Sequence, residues 1–151
     1  MSNSKQSHFI PQMVSGFYPD MALLLIRLWV GLSLFVNHGM EKIFRFSEMH
    51  KTFPDPVHIG KTPSLIFALI TDAILPLFLA LGLFSKISTF FLIINLLVAF
   101  IMVHGGSFAS LHGEIAYLYL GVVIMIFISD PGKYSVDKFI RSKRSKKPQS
   151  V

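Results

Sequence analysis

The chain has 151 residues, 52% of them hydrophobic and only 15% charged, with a formal net charge of +6 and no cysteine. Ordinary soluble domains carry about 25% charged residues, so the composition points to a single domain solvated largely by lipid. The missing thiols exclude disulfides, Cys-ligated zinc, iron–sulfur clusters and cysteine nucleophiles, leaving a quinone, a flavin or a haem as the redox carrier if there is one.

Residues 1–19 form a polar N-terminal segment with Pro11 and Pro19. They lack the basic flank joined directly to an apolar core that marks a signal peptide, and an irregular start is expected. The first predicted span runs from about 20 to 40, with Asp20 as N-cap and Arg27 and Ser33 as the polar residues of its apolar run. Residues 41–62 follow as an amphiphilic loop whose cations are Lys42, Arg45, Lys51 and Lys61. Its first part, to Met49, either prolongs the helix or lies at the interface.

The second span is predicted over 63–84. Pro76 inside it should loosen the helix and free the carbonyl of Asp72. A short turn at Ser85 and Lys86 leads to the third span, 87–103. Gly105 and Gly106 break the chain, and the fourth span covers 111–129, closed by Asp130-Pro131-Gly132. About 20 apolar residues cross a ~30 Å hydrocarbon layer, so the fold class is all-α, an integral membrane four-helix bundle over residues 20–137. A basic tail follows over 138–151, and its run 141–147 is expected to lack regular structure.

Charge placement sets the expected orientation. From Lys133 onward there are seven Lys/Arg and one Asp; the rest of the chain carries seven of each sign. Such a run beside a last apolar helix reads as a cytoplasmic anchor touching anionic headgroups. It does not read as a nucleic-acid-binding face, because no folded basic surface accompanies it. With both termini inside, nine cations face the cytoplasm and four face outward, which favours this orientation in a bacterial inner membrane.

Ionisable residues within spans usually face the bundle interior. Arg27, Gly31, Leu34, His38 and Glu41 fall on one helical stripe. Arg27 either snorkels to the headgroups or meets Asp72, which lies near the middle of the second span and needs a partner or a proton. This pair is either a register-fixing ion pair or a proton- or ligand-binding site. Ser88, Asn95, Ala99 and Met102 share a face, with Asn95 suited to interhelical bonding. Glu114, Tyr117, Gly121 and Met125 share another, with Gly121 allowing close helix approach. The candidate buried polar site is thus Arg27, Asp72, Asn95, His38 and Glu41. His104, His112 and Glu114 form a polar cluster at the outer boundary. Neither HExxH nor HxH occurs, so no metal site is assigned.

Several segments resemble one family. Ala22-Leu23-Leu24-Leu25-Ile26-Arg27-Leu28-Trp29-Val30-Gly31 followed by His38-Gly39-Met40-Glu41-Lys42 is similar to the opening of DoxX-family proteins, with its Gly-x-x-Lys near the helix end. Asp72 stands where many members carry Glu. Leu81-Gly82-Leu83-Phe84-Ser85-Lys86 resembles the family's turn, Ala99 with His104 its third-helix ending, and Asp130-Pro131-Gly132-Lys133-Tyr134-Ser135-Val136-Asp137 its close. One departure is Ala73-Ile74-Leu75-Pro76, which lacks the paired glycines that follow the acid in relatives. The resemblance implies a four-helix membrane protein associated with quinone-linked redox chemistry, since the namesake members are small subunits of a thiosulfate:quinone oxidoreductase or quinol oxidase.

Three functions remain open on these residues. One is a quinone-associated redox subunit beside a membrane oxidoreductase. The second is a small proton-coupled carrier, which would need a homodimer. The third is a non-catalytic anchor or assembly protein. No substrate is named by the sequence, nor is a complete active site.

Overall fold

The computed structural model describes residues 17–129 and 131–145. The expectations for residues 1–16, for Asp130 and for residues 146–151 lie outside them. Among the described residues there are helices and no strands. Four helices are long and apolar enough to cross a membrane: α1 (Tyr18–Phe44), α3 (Lys61–Leu81), α4 (Ser85–Val103) and α5 (Leu111–Ile128). Two shorter ones complete the set, α2 (Phe46–Met49) and α6 (Val136–Ser145).

The spans form a closed ring. α1 packs on α3, α3 on α4, α4 on α5, and α5 returns to α1. Val30, Leu34, Leu79, Leu92, Leu96, Leu120, Val123 and Ile126 fill the centre. The outside is equally apolar: Trp29 is 78% exposed and Ile128 76%. Large side chains left this open are content only in hydrocarbon, since in water they would form an adhesive surface. The protein is an all-α, multi-pass membrane protein.

Glycines on α1 set the closest approach. A methyl group on Gly31 would lie 2.9 Å from Ala80 Cβ and collide with the Pro76 carbonyl oxygen; one on Gly39 would lie 2.8 Å from Ala73 Cα and collide with the Asp72 carbonyl oxygen. The carbonyl that Pro76 was expected to free is thus covered by Gly39. The close approach between these two spans is therefore supplied by glycines of α1. Gly121, expected to do this on the fourth span, has no neighbour within 4 Å of an added methyl.

Three spans contain a five-residue π turn: Phe35–Gly39 in α1, Ile70–Ile74 in α3 and Ala99–Val103 in α4. Their closing bonds skip an extra residue, as in Met40 N–H to the Phe35 carbonyl and His104 N–H to Ala99. Such turns rotate everything beyond them by about one residue and cluster at functional sites. Those in α1 and α4 lie towards the end of the bundle formed by the 45–60 and 104–110 connections, and the one in α3 lies at mid-span.

The opposite end is tied together by the C-terminal segment. Asp20, expected to cap a helix, lies instead inside one that is already formed at Phe17, and it accepts the Lys133 N–H at 2.8 Å. Residues 141–145, expected to be irregular, are the last part of a helix that begins at Val136.

Candidate functional site

The three π turns surround a cavity of about 460 Å³. Its walls are apolar: Leu34, Phe67, Ala68, Ile94, Leu96, Val98 and Ile115. Phe53, Pro54, Pro56, Val57 and Ile59 close the mouth from the α2–α3 connection. Polar groups enter from few directions, as in ligand sites generally. They are His38, Lys42, Ser64, Asp72, Asn95, Tyr119, and the pair His104 and His112.

Asp72 organises the polar wall. Its Oδ2 lies 2.8 Å from Lys42 Nζ, and its Oδ1 accepts from Asn95 Nδ2 at 2.8 Å. One carboxylate therefore joins α1, α3 and α4. Both ions are largely shielded, each side chain 11% exposed. In such surroundings an unpaired charge is costly and a paired, hydrogen-bonded one is tolerated. Lys42 also donates to the His38 carbonyl at 3.3 Å. An ammonium has three N–H groups, so a third remains for an acceptor in the cavity.

The aromatic wall is built by α5. Tyr119 shares a hydrogen bond with Ser33 Oγ at 2.5 Å and meets the His38 ring edge-on at 6.3 Å. Nearer the mouth, His104 and His112 stack with ring centres 5.9 Å apart. Ser110 Oγ accepts from Gly113 N at 3.1 Å, capping α5 and setting the position of His112. Among the described residues no three His, Asp or Glu side chains converge as a metal-binding group.

The mouth is held by Asp55. It accepts from Ile59 N (3.0 Å), Gly60 N (2.8 Å) and Ser64 Oγ (2.8 Å), so the connection is clamped to the first turn of α3. Desolvation pushes its pKa up, but the bonds from Ser64, Gly60 and Ile59, helped by the charge of His58, hold it below the usual value.

The DoxX family model matches residues 22–105, more than half of the chain. The chain belongs to the DoxX family. The match takes in α1, α3 and α4, and with them His38, Lys42, Asp72, Asn95 and His104; Tyr119 and His112 lie beyond it. No curated protein and no solved structure matches the chain.

This DoxX protein gathers some of the residues expected at one site and scatters others. Asp72, Asn95 and His38 share the cavity with His104 and His112. Arg27 does not pair with Asp72. Gly39 is the α1 residue packed on Asp72, twelve positions from Arg27, about 18 Å along a helix. The expected depths failed because α1 runs on to Phe44 and α3 begins at Lys61. Nor does Arg27 snorkel. Its side chain is fully buried and donates to the carbonyls of Leu23 (3.3 Å), Pro131 (2.6 Å) and Tyr134 (3.1 Å).

Glu41 is exposed and paired with Arg45 at 3.2 Å. The α1 π turn explains it: one extra residue carries Lys42, not Glu41, onto the stripe of Arg27, Gly31, Leu34 and His38. In α4 Val103 borders the cavity and Met102, expected on the Asn95 face, does not, although both are exposed. Glu114 is also exposed, and its partners Tyr117 and Met125 point outward with it; α5 buries Gly113, Ala116, Leu120, Val123 and Ile126 instead.

Lys42 and Tyr119 are the functional candidates that sequence reading missed. The Gly-x-x-Lys motif ending at Lys42 was a usable signal. Its cation was counted with the 41–62 loop, although a prolonged first helix was the open alternative.

Proposed function

We propose that this DoxX protein is a quinone- or quinol-associated subunit or accessory of a membrane oxidoreductase, and that its ligand sits in the cavity against Asp72, Lys42 and Asn95. The observation that carries this reading is an ion pair set into an otherwise apolar chamber. A ligand with a polar head and an apolar body suits it: the head meets the ion pair, and the body meets Phe67, Ile94, Val98 and Ile115.

The residues fit a quinone headgroup. About 460 Å³ lies within the usual 300–1,000 Å³ of small-molecule sites. When bound, a quinone supplies two-electron, two-proton redox chemistry in the lipid phase. The electrons would come from the partner oxidoreductase, since the chain contains no cysteine for a cluster. Lys42 uses its third N–H to hold a carbonyl oxygen. Asp72 orients Lys42 through their 2.8 Å contact, and Asn95 keeps Asp72 in place. The His104–His112 stack and His38 line a route by which protons reach this wall from the mouth. The apolar walls lower the polarity around the ion pair, which strengthens its polar contacts.

Orientation follows from charge. With Lys42 turned into the cavity, Lys5, Lys86 and the seven cations from Lys133 onward oppose only Arg45, Lys51 and Lys61. By the positive-inside rule this asymmetry favours cytoplasmic termini, which supports our reading of a bacterial inner-membrane protein with the cavity mouth outside.

The test is lipid extraction from protein purified in mild detergent, beside Asp72→Asn and Lys42→Met. Quinone should co-purify with the parent and be depleted in both variants. An extract without quinone, together with unchanged quinol turnover in membranes of a deletion strain, would sink the proposal.

A further inference from the structure

At the end of the bundle away from the cavity, α6 has no buried residue, yet its start is firmly held. Asp137 accepts from Phe84 N at 2.9 Å and Ser85 N at 2.8 Å, and its own N–H donates to the Gly82 carbonyl at 3.0 Å. These contacts fasten the first turn of α6 to the tight turn between α3 and α4. Arg27, bound to Pro131 and Tyr134, holds the segment leading into it. The helix therefore leaves the protein at the level where two spans leave the hydrocarbon.

Its residues are sorted by face. At helical spacing Val136, Phe139, Ile140 and the stem of Lys143 form one stripe. Phe139 is 60% exposed, and with Ile140, Lys143 and Arg144 it borders one open groove. Lys143 Nζ lies 4.5 Å from the Phe139 ring centre. Lys138, Arg141, Lys143 and Arg144 give the helix four cations. Its one acid, Asp137, spends both oxygens on the Phe84 and Ser85 amides. What α6 presents to its surroundings is thus an apolar stripe flanked by positive charge. A ten-residue helix is marginal by itself in water, and packing on this stripe would hold it.

We propose that α6 is an interfacial helix that lies on the bilayer and binds anionic phospholipid headgroups. Phe139 and Ile140 enter the headgroup–acyl boundary, and Arg141, Lys143 and Arg144 pair with lipid phosphates. Amphipathic helices with basic polar faces bind membranes in this way, with a strong dependence on lipid charge. Two observations select a lipid surface as the occupant: the charge of the exposed face is of one sign, and the helix is anchored at the membrane boundary.

The full-length protein allows a direct test. Trp29 is the only tryptophan, and a Trp29→Phe, Phe139→Trp variant moves the fluorophore to α6. It is placed in nanodiscs of phosphatidylcholine alone or with increasing phosphatidylglycerol. Emission should shift to the blue and acrylamide quenching should fall as phosphatidylglycerol rises, and high salt should reverse both. Neutralising Arg141, Lys143 and Arg144 to Gln should weaken the apparent lipid affinity about fivefold per cation. These side chains are exposed, so the bundle has no reason to unfold. Identical emission in both lipids, as for a helix reserved for a protein partner, overturns the proposal. So does a neutralised variant that responds like its parent.

Discussion

Lys42 and Asp72 meet at 2.8 Å across the packed face between α1 and α3, and Asn95 of α4 fixes the carboxylate from its other side. Removing one member of a buried ion pair leaves an uncompensated charge, which typically costs about 3–5 kcal/mol. Lys42→Met and Asp72→Asn should each lower the thermal midpoint in detergent. The double variant should lose clearly less than the sum of the two, because no orphan charge remains. Additive losses would mean that the two residues do not act as a pair.

The α1–α3 contact makes a second expectation. Gly39→Ala places a methyl group against the Asp72 carbonyl and Ala73 Cα. Overpacking of this kind costs about 1–3 kcal/mol, and here it also pushes Asp72 away from Lys42. Gly121→Ala, with open space around it, should stay within about 0.5 kcal/mol. Equal effects of the two substitutions in the same unfolding assay would refute the packing described.

How much of this was legible depended on the helical period. Apolar length was enough to find four spans, because desolvation leaves a backbone in lipid no alternative to a helix. It was also enough to mark Asp72, Asn95 and His38 as inward. The stripe argument then failed where the π turn of α1 intervened, giving Glu41 for Lys42. A period of 3.6 carries no mark of an inserted residue, so Phe35–Gly39 looks like ordinary helix. Arg27 was misplaced for a different reason. Its acceptors are the carbonyls of Pro131 and Tyr134, more than a hundred positions away, and backbone acceptors have no residue signature.

That latch leads to a third expectation. Arg27 reaches two separate carbonyls at once, which a guanidinium fork can do and a single ammonium does poorly. Arg27→Lys should lose at least one of these charge-assisted bonds, at about 1.5–3 kcal/mol each. The segment around Pro131–Tyr134 should then open more often. Trypsin cleavage at Lys133 and Lys138 in detergent should be faster than in the parent, while the thermal midpoint falls. Unchanged cleavage would show that the Asp137 contacts hold the segment without Arg27.

The mouth of the cavity should respond to acid through Asp55. Its pKa in the folded protein is held below the ordinary 3.8, so the carboxylate binds protons more weakly folded than unfolded. The clamp therefore contributes fully above that value and is lost as the pH falls through the lower, folded one. His58 is the charged neighbour that contributes, and it acts in the same direction. Protection of the Ile59 and Gly60 amides, which donate directly to Asp55, should be constant from neutral pH to about pH 4, where an ordinary Asp begins to take up its proton, and decline below it. Asp55→Asn should show the reduced protection already at neutral pH, with the α1–α3 ion pair intact. Hydrogen exchange at these two amides reads both effects. A parent whose protection already declines near neutral pH would assign the clamp to a histidine and not to Asp55.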